Sequence, residues 1–558
     1  MRKYIISGLG FLLWGILSVS AQQTDDRRFN LSKHLEVFNS LVKELDLFYV
    51  DTIQPEKVIQ DGINGMLVKL DPYTNYISEK EQSDFTLMTT GEYAGIGCII
   101  TNRNGRTYIV EPYEGMPADV AGLRAGDEVL EIDNIDIKEI AEPSEKMKGQ
   151  PNTKVKIKYQ RVGNKKPSVV EIVRKRIQLN PVTYYGVLDN NVGYIRLSGF
   201  TEQCAQEVKT AFDDLKKKKG ITSIILDLRE NPGGIMEEAV QITNIFVPKG
   251  EIVVSTKGKV RQWDRVYRTT LDAIDNNIPL AVLVGSTSAS AAEIVSGAIQ
   301  DLDRGVVVGE RTFGKGLVQV SRELPYNTSL KVTTSKYYIP SGRCIQAIDY
   351  THRNSDGSVG AIPDSLTSVF YTKKGRPVRD GGGVTPDVSI ETGRRANITY
   401  YLMLEYHIFD YVTQWVQKQE TIANTNEFTF TESDYEDFKN YIHAKEFKYD
   451  RQSERALASL QEIMAFEGYS ESAEAELKAL EAKLHPDLDR DLEINKKDII
   501  ELLSSEIIKR YYYQKGEIAW SLKTDVCVQK AQEILCDSEL YQQTLTAPGH
   551  LSELSSNK

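Results

Sequence analysis

One stretch constrains this chain more than any other: residues 279–301, where a short apolar run gives way to a helical pattern across a cluster of serines. Residues 279–284 are rich in valine and leucine, as in a buried strand, and a break at Gly285 to Thr287 follows. From Ser290 onward, apolar residues recur with helical spacing. The sequence therefore predicts a serine at a strand-to-helix turn, where unpaired amides and the helix dipole stabilise negative charge.

A serine hydroxyl needs a base before it can act as a nucleophile. Lys315 is one candidate, because burial lowers the pKa of an amine and its neighbours Gly314 and Gly316 allow close backbone approach. Histidine is the usual alternative, but the tract with most of the glycine turns and strand patterns contains none, which disfavours a Ser-His-Asp triad. Such a triad would require the fold to bring His352 close to the serine. The histidines are His34, His352, His407, His443, His485 and His550.

Two other interpretations of this tract need weighing. Residues 309–315 fit the first part of a phosphate-binding loop, but Gly316 stands where Ser or Thr would bind magnesium. A strand pattern also follows where a helix is required, so nucleotide binding is disfavoured. The plainer alternative is that Ser286, Ser288 and Ser290 are loop and capping residues and Lys315 is a surface charge. Taken singly, the residues do not remove that alternative.

Three blocks, 285–293, 297–301 and 309–319, closely resemble the C-terminal processing peptidases, also called tail-specific proteases. That family uses a Ser-Lys pair with a supporting glutamine. The family's lysine follows the nucleophile by 25 positions and the glutamine follows the lysine by four. The resemblance therefore implies Ser290 as nucleophile, Lys315 as base and Gln319 as its supporting residue. Ala292 stands where the family has a further serine, a departure that spares the nucleophile.

A second loop completes the implied catalytic site. Residues 229–234, Arg-Glu-Asn-Pro-Gly-Gly, follow a predicted strand at 224–228 and resemble another run of the same family. A glycine can present its backbone amide to a substrate carbonyl with no side chain in the way. The resemblance implies an oxyanion hole formed by Gly234 and Ala291, with Gly233 as the alternative glycine.

A glycine-rich segment of short alternating strands precedes this core. Predicted strands at 98–100 and 108–110 flank the hairpin turn Asn104-Gly105, and Gly-Leu-Arg-Ala-Gly-Asp follows at 122–127. The segment resembles a PDZ domain, which binds a peptide C-terminus as an extra strand at a sheet edge. The resemblance implies that the backbone amides of Gly95, Ile96 and Gly97 hold the terminal carboxylate. Apolar C-terminal residues would be the natural preference of such a site.

These patterns predict a multidomain α+β chain. Its expected parts are a signal peptide (1–21), an N-terminal helical region (22–84), a PDZ domain (85–174), a mixed α/β peptidase core (175–395) and a C-terminal helical region (396–558). The C-terminal helices could pack on the core, form a subunit contact or tether a substrate, and both terminal helical regions could serve homo-oligomer formation or an adaptor. The sequence does not choose between these roles.

The first residues determine the expected location. Arg2 and Lys3 precede an apolar run that ends in small residues at 18–21, the pattern of a secretory signal. Export to the periplasm or cell envelope, or to the extracellular space, is therefore expected, with an uncleaved anchor as the alternative. The net charge of −11 falls by two to −13 without the signal, which argues against a nucleic-acid partner.

The cysteines give no sign of a cofactor. They are scattered, odd in number and not spaced for zinc, so buried free thiols are expected, with no metal and no cofactor. The five are Cys98, Cys204, Cys344, Cys527 and Cys536.

Together these observations predict an exported serine endopeptidase. It would recognise the accessible C-termini of protein or peptide substrates through its PDZ domain and cut them with a Ser-Lys dyad. A lysine base predicts activity that rises with pH through the lowered pKa of the amine. The alternative from another class is a non-catalytic PDZ scaffold that only holds peptide tails.

Overall fold

The computed structural model describes residues 26–391, 393, 395–484 and 487–546. The expected signal peptide, 1–21, lies outside the described residues. The chain divides into two compact units: residues up to Lys80 with Gln319–Thr333, and Glu81–Val318 with the chain from Thr334 onward. No helix in the described part of the chain combines the length and apolar character needed to cross a membrane.

The first unit contains the predicted N-terminal helices, 26–48 and Pro55–Leu67. A short strand, Asn75–Ile77, pairs antiparallel with residues 329–331. The turn before this strand is an Asx turn, because Asp71 Oδ1 accepts hydrogen bonds from the amides of Tyr73 and Thr74, both at 2.8 Å. Many large apolar side chains of the helices face solvent: Phe29, Leu31, Leu35, Phe38, Leu41, Leu47, Phe48 and Met66.

The second unit begins with the helix Gln82–Thr90 and the predicted PDZ sheet. The strand Cys98–Arg103 lies at one edge of this antiparallel sheet and, within the described part of the chain, pairs only with its neighbour in the sheet order. Two short helices, Pro117–Val120 and Pro143–Met147, accompany the sheet. The sheet order is Cys98–Arg103, Arg106–Pro112, Glu128–Ile132, Lys154–Gln160 and Ser168–Val173, with Ile135–Asp136 beside the third strand. A separate pair, Glu92–Gly95 with Lys175–Gln178, lies at the domain's ends in sequence.

A six-stranded sheet organises the peptidase core. The first strand is antiparallel to the second, and the second to sixth strands run parallel, so the carboxyl ends of five neighbouring strands meet at one edge. Ligand and catalytic groups of open α/β sheets gather at this edge. In order, the strands are Val182–Val187, Val192–Leu197, Ser223–Asp227, Leu280–Val284, Val306–Gly309 and Val388–Ser389.

Both faces of this sheet are covered. Strands buried on two faces are expected to be continuously apolar, as Leu280–Val284 is, where all five residues are buried. One face packs on the helices Cys204–Lys219, Met236–Phe246 and Ala291–Asp301. The other face packs on Val526–Cys536 and Ser538–Thr546 from the C-terminal region.

Further strands surround the core. The residues 335–338 at the end of the strand Thr328–Tyr338 pair with Ile252–Gly258, which also pairs with Arg265–Arg268. The strand Leu317–Leu324 follows the lysine loop. Two small hairpins complete the core: Ile348–Arg353 with Val359–Ala361, and Val369–Tyr371 with Pro377–Arg379.

The C-terminal region is helical, as expected, and has its own apolar cluster. The helical residues 496–521 do not form one continuous helix, because Tyr513 has φ 54° and ψ −170°. Ser505 Oγ donates to Glu517 Oε1 at 2.6 Å. Twelve residues of straight helix would separate these groups by about 18 Å, so the chain reverses direction at Tyr513. The other helices before Val526 are Asn397–Leu404, His407–Trp415, Glu432–Ala444, Gln452–Glu467, Glu474–Leu484 and Leu488–Ile494.

The predicted fold class is confirmed: a multidomain chain of helices and sheets with PDZ, peptidase and C-terminal helical parts. The exact domain boundaries stay a prediction. One expectation about the cysteines was wrong, because Cys536 is exposed, while Cys98 and Cys344 are only partly covered. All five thiols are free.

Candidate active site

Ser290 occupies the predicted turn between a buried strand and the helix Ala291–Asp301. Its backbone has φ 55° and ψ −113°, a conformation that residues other than glycine rarely adopt. Such strain persists only where the surroundings over-determine it, and it recurs at nucleophiles displayed on sharp strand-to-helix turns. All eleven residues of the following helix are buried, which fixes the turn from one side.

A buried glutamate holds the turn from the other side. Glu293 is fully buried, and its Oε2 accepts the backbone N–H of Ser290 at 2.9 Å. The same oxygen accepts the N–H of Lys315 at 2.8 Å. The other oxygen accepts the N–H of Gly314 at 2.7 Å and the hydroxyl of Thr312 at 2.5 Å. Burial raises the pKa of Glu293 to about 7, although these four donors oppose the shift.

This shared carboxylate brings the backbones of the predicted nucleophile and base together. Ser290 N and Lys315 N donate to the same oxygen. The distance between the two nitrogens therefore cannot exceed the sum of the two hydrogen-bond lengths. Both residues are half-buried. The neighbouring serines differ: Ser288 is buried and donates to the Leu228 carbonyl at 2.7 Å, whereas Ser286 is exposed.

The two glycines beside Lys315 pack as closely as the sequence suggested. A Cβ on Gly314, which has φ 85°, would lie 2.4 Å from Ala347 Cβ. A Cβ on Gly316 would lie 2.8 Å from Gln346 N. Gly316 N also donates to Gln346 Oε1 at 2.8 Å. The lysine loop therefore has one tightly held backbone path, and larger residues at either side would displace it.

Asn231 joins the glycine loop to the serine loop. Its side chain donates to the Leu197 carbonyl at 2.8 Å and accepts the N–H of Gly233 at 2.9 Å, while its carbonyl accepts the N–H of Ala289 at 3.0 Å. A Cβ on Gly233 would lie 2.7 Å from Ser290 Cβ. The two loops are thus in direct contact, and glycine is required where they meet.

The predicted oxyanion donors lie at this contact. Ala291 N would be 2.9 Å from a Cβ on Gly233, so the Ala291 amide and the glycine loop are adjacent. The N–H of Gly233 is already bound to Asn231. Among the residues that the structure describes, nothing accepts from the N–H of Gly234 or Ala291. This difference favours Gly234 over Gly233 as the available donor.

Gln319 belongs to the first compact unit. It is the third residue of the strand Leu317–Leu324, and its Nε2 donates to Thr333 Oγ1 at 3.2 Å within that unit. Its supporting role stays a prediction from the resemblance. His352, the one histidine left open as a base, is 88% exposed and bonded through its ring to Asp349 in its own hairpin.

Of the predicted carboxylate-binding residues, Ile96 and Gly97 line a groove beside the edge strand of the PDZ sheet, and Gly95 precedes them as the last residue of the strand Glu92–Gly95. The Ile96 carbonyl accepts the N–H of Ala118 at 2.8 Å, and a Cβ on Gly97, which has φ 75°, would lie 2.5 Å from Met116 Cβ. The groove has a volume of about 150 Å³ and is mostly apolar. Its lining includes Leu87, Tyr93, Ile96, Cys98, Ile100, Tyr113, Met147 and Leu179.

Comparison with known proteins supports the same organisation. Models of peptidase family S41, of the PDZ domain and of the C-terminal helical domain of PDZ-proteases match residues 191–354, 108–161 and 398–535. A carboxy-terminal-processing protease of Bartonella bacilliformis is 36% identical over 357 residues, covering 63% of this chain and 82% of that protein. The chain belongs to the carboxy-terminal processing proteases. It is therefore a serine peptidase with a PDZ domain.

One further relative and one solved structure are also similar to this chain. The carboxy-terminal processing protease CtpA of Bacillus subtilis is 30% identical over 355 residues, covering 61% of this processing protease and 72% of that protein. The solved structure of a photosystem II D1 C-terminal processing protease aligns with 63% of this chain and 86% of its own, at 26% identity and a TM-score of 0.34.

Sequence analysis of this processing protease missed Glu293 and Asn231. A signal for the first was present, because Ser290 and Glu293 have the spacing of a helix capping box. That spacing predicts the hydrogen bond to Ser290 N but not those to Gly314 and Lys315, more than twenty residues away. Asn231 lies in the Asn-Pro-Gly-Gly turn, where its type fits a turn residue equally well.

Proposed function

We propose that this protein is an exported endopeptidase that binds the C-terminal tails of protein substrates and cuts them with a Ser-Lys dyad. Ser290 attacks the scissile carbonyl, and neutral Lys315 accepts the serine proton and later returns it to the leaving amine. Gln319 orients the lysine amine. The main support for the proposal is that one carboxylate oxygen of Glu293 accepts the backbone N–H groups of both Ser290 and Lys315.

The N–H groups of Gly234 and Ala291 are proposed to form the oxyanion hole. Negative charge develops on the carbonyl oxygen as Ser290 attacks, and preorganised amide donors stabilise it. Two features support these donors: the contact between the glycine and serine loops, and the absence of an acceptor for either amide among the described residues. The N-terminal end of the helix Ala291–Asp301 adds its positive dipole at the same point.

Recognition is assigned to the PDZ groove. The tail would add as a strand beside Cys98–Arg103, and the amides of Gly95, Ile96 and Gly97 would bind its carboxylate. The apolar groove lining favours an apolar last side chain. Burial raises the pKa of the Cys98 thiol to about 12, so this group in the groove stays uncharged and suits an apolar ligand.

The dyad is tested with an unfolded polypeptide that ends in apolar residues. Ser290→Ala and Lys315→Ala should each abolish fragment formation while tail binding and thermal unfolding stay as in the wild type. Undiminished turnover in a folded Lys315→Ala protein would reject lysine as the base. Binding without any serine-dependent fragment would favour the scaffold over the peptidase.

Export to the periplasm or cell envelope, or beyond it, is proposed from the signal pattern at 1–21. N-terminal sequencing of the protein from fractionated cells should show cleavage after Ala21. Recovery of the intact N-terminus from the cytoplasm would contradict export.

The N-terminal helices are proposed to form a homo-oligomer contact. Their solvent-facing apolar side chains, among them Leu35 and Leu41, are the support. The double substitution Leu35→Ser and Leu41→Ser should lower the sedimentation-derived mass to that of one chain. An adaptor that binds the same helices instead would leave the wild-type protein monomeric.

A further inference from the structure

The edge strand that borders the peptide groove is also held by the C-terminal helices. Cys98 and Ile100 line the groove, whereas residues farther along the strand contact the helical region. Thr101 Oγ1 and Tyr406 Oη share a hydrogen bond of 2.9 Å. Arg103 pairs with Asp410 at 2.5 Å, with its guanidinium 4.9 Å from the Tyr406 ring centre. One strand therefore serves both the peptide and the helices.

Backbone turns of the PDZ domain pack directly on the same helices. A Cβ on Gly126, which has φ 93°, would lie 2.3 Å from Thr413 Cγ2. A Cβ on Gly163, which has φ 86°, would lie 2.4 Å from Gln417 Oε1. Both turns therefore lie against these helices at positions where glycine leaves room for Thr413 and Gln417.

A second attachment lies at the chain reversal. Tyr513 has φ 54°, which is costly for a large side chain and must be stabilised by its surroundings. Its hydroxyl donates to Asp119 Oδ1 of the PDZ domain at 2.9 Å. The other oxygen of Asp119 accepts the N–H of Gly115 at 2.8 Å. Tyr513, where the chain reverses, is thus hydrogen-bonded to Asp119 of the PDZ domain, and the Asp119 carboxylate is itself held by Gly115 N.

Beyond the reversal, the same region is bound to the catalytic sheet. Ile518 and Leu522 are buried against the sheet. Asp525 begins the next helix and pairs with Arg229 at 2.7 Å. Arg229 also pairs with the buried Asp227 at 2.6 Å, at the end of the strand that leads to the glycine loop. The helical region therefore joins the peptide groove to the catalytic loops through side chains fixed at both ends.

We propose that the C-terminal helical region is a spacer that fixes the distance between the peptide groove and Ser290. This inference rests on the proposed tail recognition and gives the helical region a role in the reaction. A bound tail is extended, and an extended chain spans at most about 3.3–3.6 Å per residue. A fixed distance therefore sets the smallest number of residues between the substrate's C-terminus and the cut. Asp410 and Tyr513 are positioning residues in this scheme.

The test measures where cleavage falls instead of how fast it is. The substrate is an unfolded polypeptide of repeated cleavable segments with one apolar tail, and mass spectrometry identifies the shortest C-terminal fragment released. The wild type should release one dominant shortest fragment, unchanged when the substrate is lengthened upstream. In the double variant Asp410→Asn and Tyr513→Phe, that fragment should be lost to a ladder of shorter and longer fragments.

Matched controls separate positioning from general damage. Glu474→Gln makes the same kind of change in an exposed pair with Lys478 and should keep the wild-type fragment. The double variant should hydrolyse a short peptide without a tail at the wild-type rate. If it is unstable, Tyr513→Phe alone, which removes only one hydroxyl, should still broaden the distribution.

The outcomes distinguish this inference from the proposed function. A folded double variant that releases the same single dominant fragment would overturn the spacer. A wild type whose fragments do not change when the tail residue is changed from apolar to acidic would overturn tail recognition, and the spacer with it. Dependence of every fragment on Ser290 is checked separately with Ser290→Ala.

Discussion

The serine loop and the peptide groove of this protease are built in opposite ways. Around Ser290, buried side chains bind the backbone: Glu293 accepts from three amides and Asn231 from a fourth. The groove is open and mostly apolar, and its proposed contacts with the tail's carboxylate are backbone amides at Gly95 to Gly97. Catalysis requires groups held in one geometry before the substrate arrives, whereas pairing through a strand edge accepts many sequences. Under the proposed function, the difference corresponds to a rigid cutting site and a permissive binding site.

The largest effect should come from loosening the rigid site. Glu293→Gln places an amide NH₂ group where an oxygen now accepts backbone N–H groups, leaving buried donors without an acceptor. The expected stability loss is about 1–3 kcal/mol. Misplacement of the loops by about 1 Å would lower kcat by roughly 100-fold. Steady-state kinetics and denaturant unfolding measure both, and an unchanged kcat would show that the carboxylate does not position the dyad.

The pH dependence of the unfolding free energy provides a second test with the same Glu293→Gln variant. Because burial raises the pKa of Glu293 to about 7, the folded protein binds this proton more tightly than the unfolded chain does. The resulting stabilisation is present below the carboxyl's ordinary pKa and is lost as pH rises to about 7. The unfolding free energy of the wild type minus that of Glu293→Gln should therefore fall between pH 5 and pH 8. A difference that rises over this range would contradict the assignment.

A charge in the groove should affect binding alone. Ile100→Glu introduces a carboxylate into the apolar lining, where it repels the tail's carboxylate and must be desolvated. We expect the binding free energy of a tailed substrate to weaken by about 1.4 kcal/mol or more, which raises KM at least roughly tenfold. The kcat value and the hydrolysis of a tail-free peptide should stay unchanged. Equal loss in both substrates would mean that the groove is part of the cutting site.

The smallest effect should come from one bond at the edge of the rigid site. Tyr337 is buried, and its hydroxyl donates to the Ser290 carbonyl at 3.1 Å. Tyr337→Phe removes this bond and leaves the ring packing, at a cost of about 1 kcal/mol. Thermal unfolding should show a modest decrease, and kcat should fall only severalfold. A loss as large as that of Glu293→Gln would mean that this bond, and not the carboxylate, fixes the nucleophile.

Sequence patterns anticipated the local features of the site. The strand Leu280–Val284 and the helix from Ala291 follow from apolar spacing, and the glycines around Lys315 do contact other backbone. The convergence of Gly314 and Lys315 on Glu293 depends on tertiary folding, which leaves no local pattern. The reversal at Tyr513 was missed for a related reason. Helical spacing continues through it, and the conformation there depends on contacts with distant residues such as Asp119.

The most direct test of the Ser-Lys dyad replaces the base chemically. Lys315→Cys should be inactive, and alkylation with 2-bromoethylamine converts that cysteine into a lysine analogue with sulfur in the side chain. Cys536 is the exposed native thiol, so the alkylated wild type serves as the control. The account predicts restored cleavage, with the rise of kcat/KM shifted to lower pH because sulfur makes the amine less basic. Full activity before alkylation, or restored activity with an unshifted pH profile, would contradict lysine as the base.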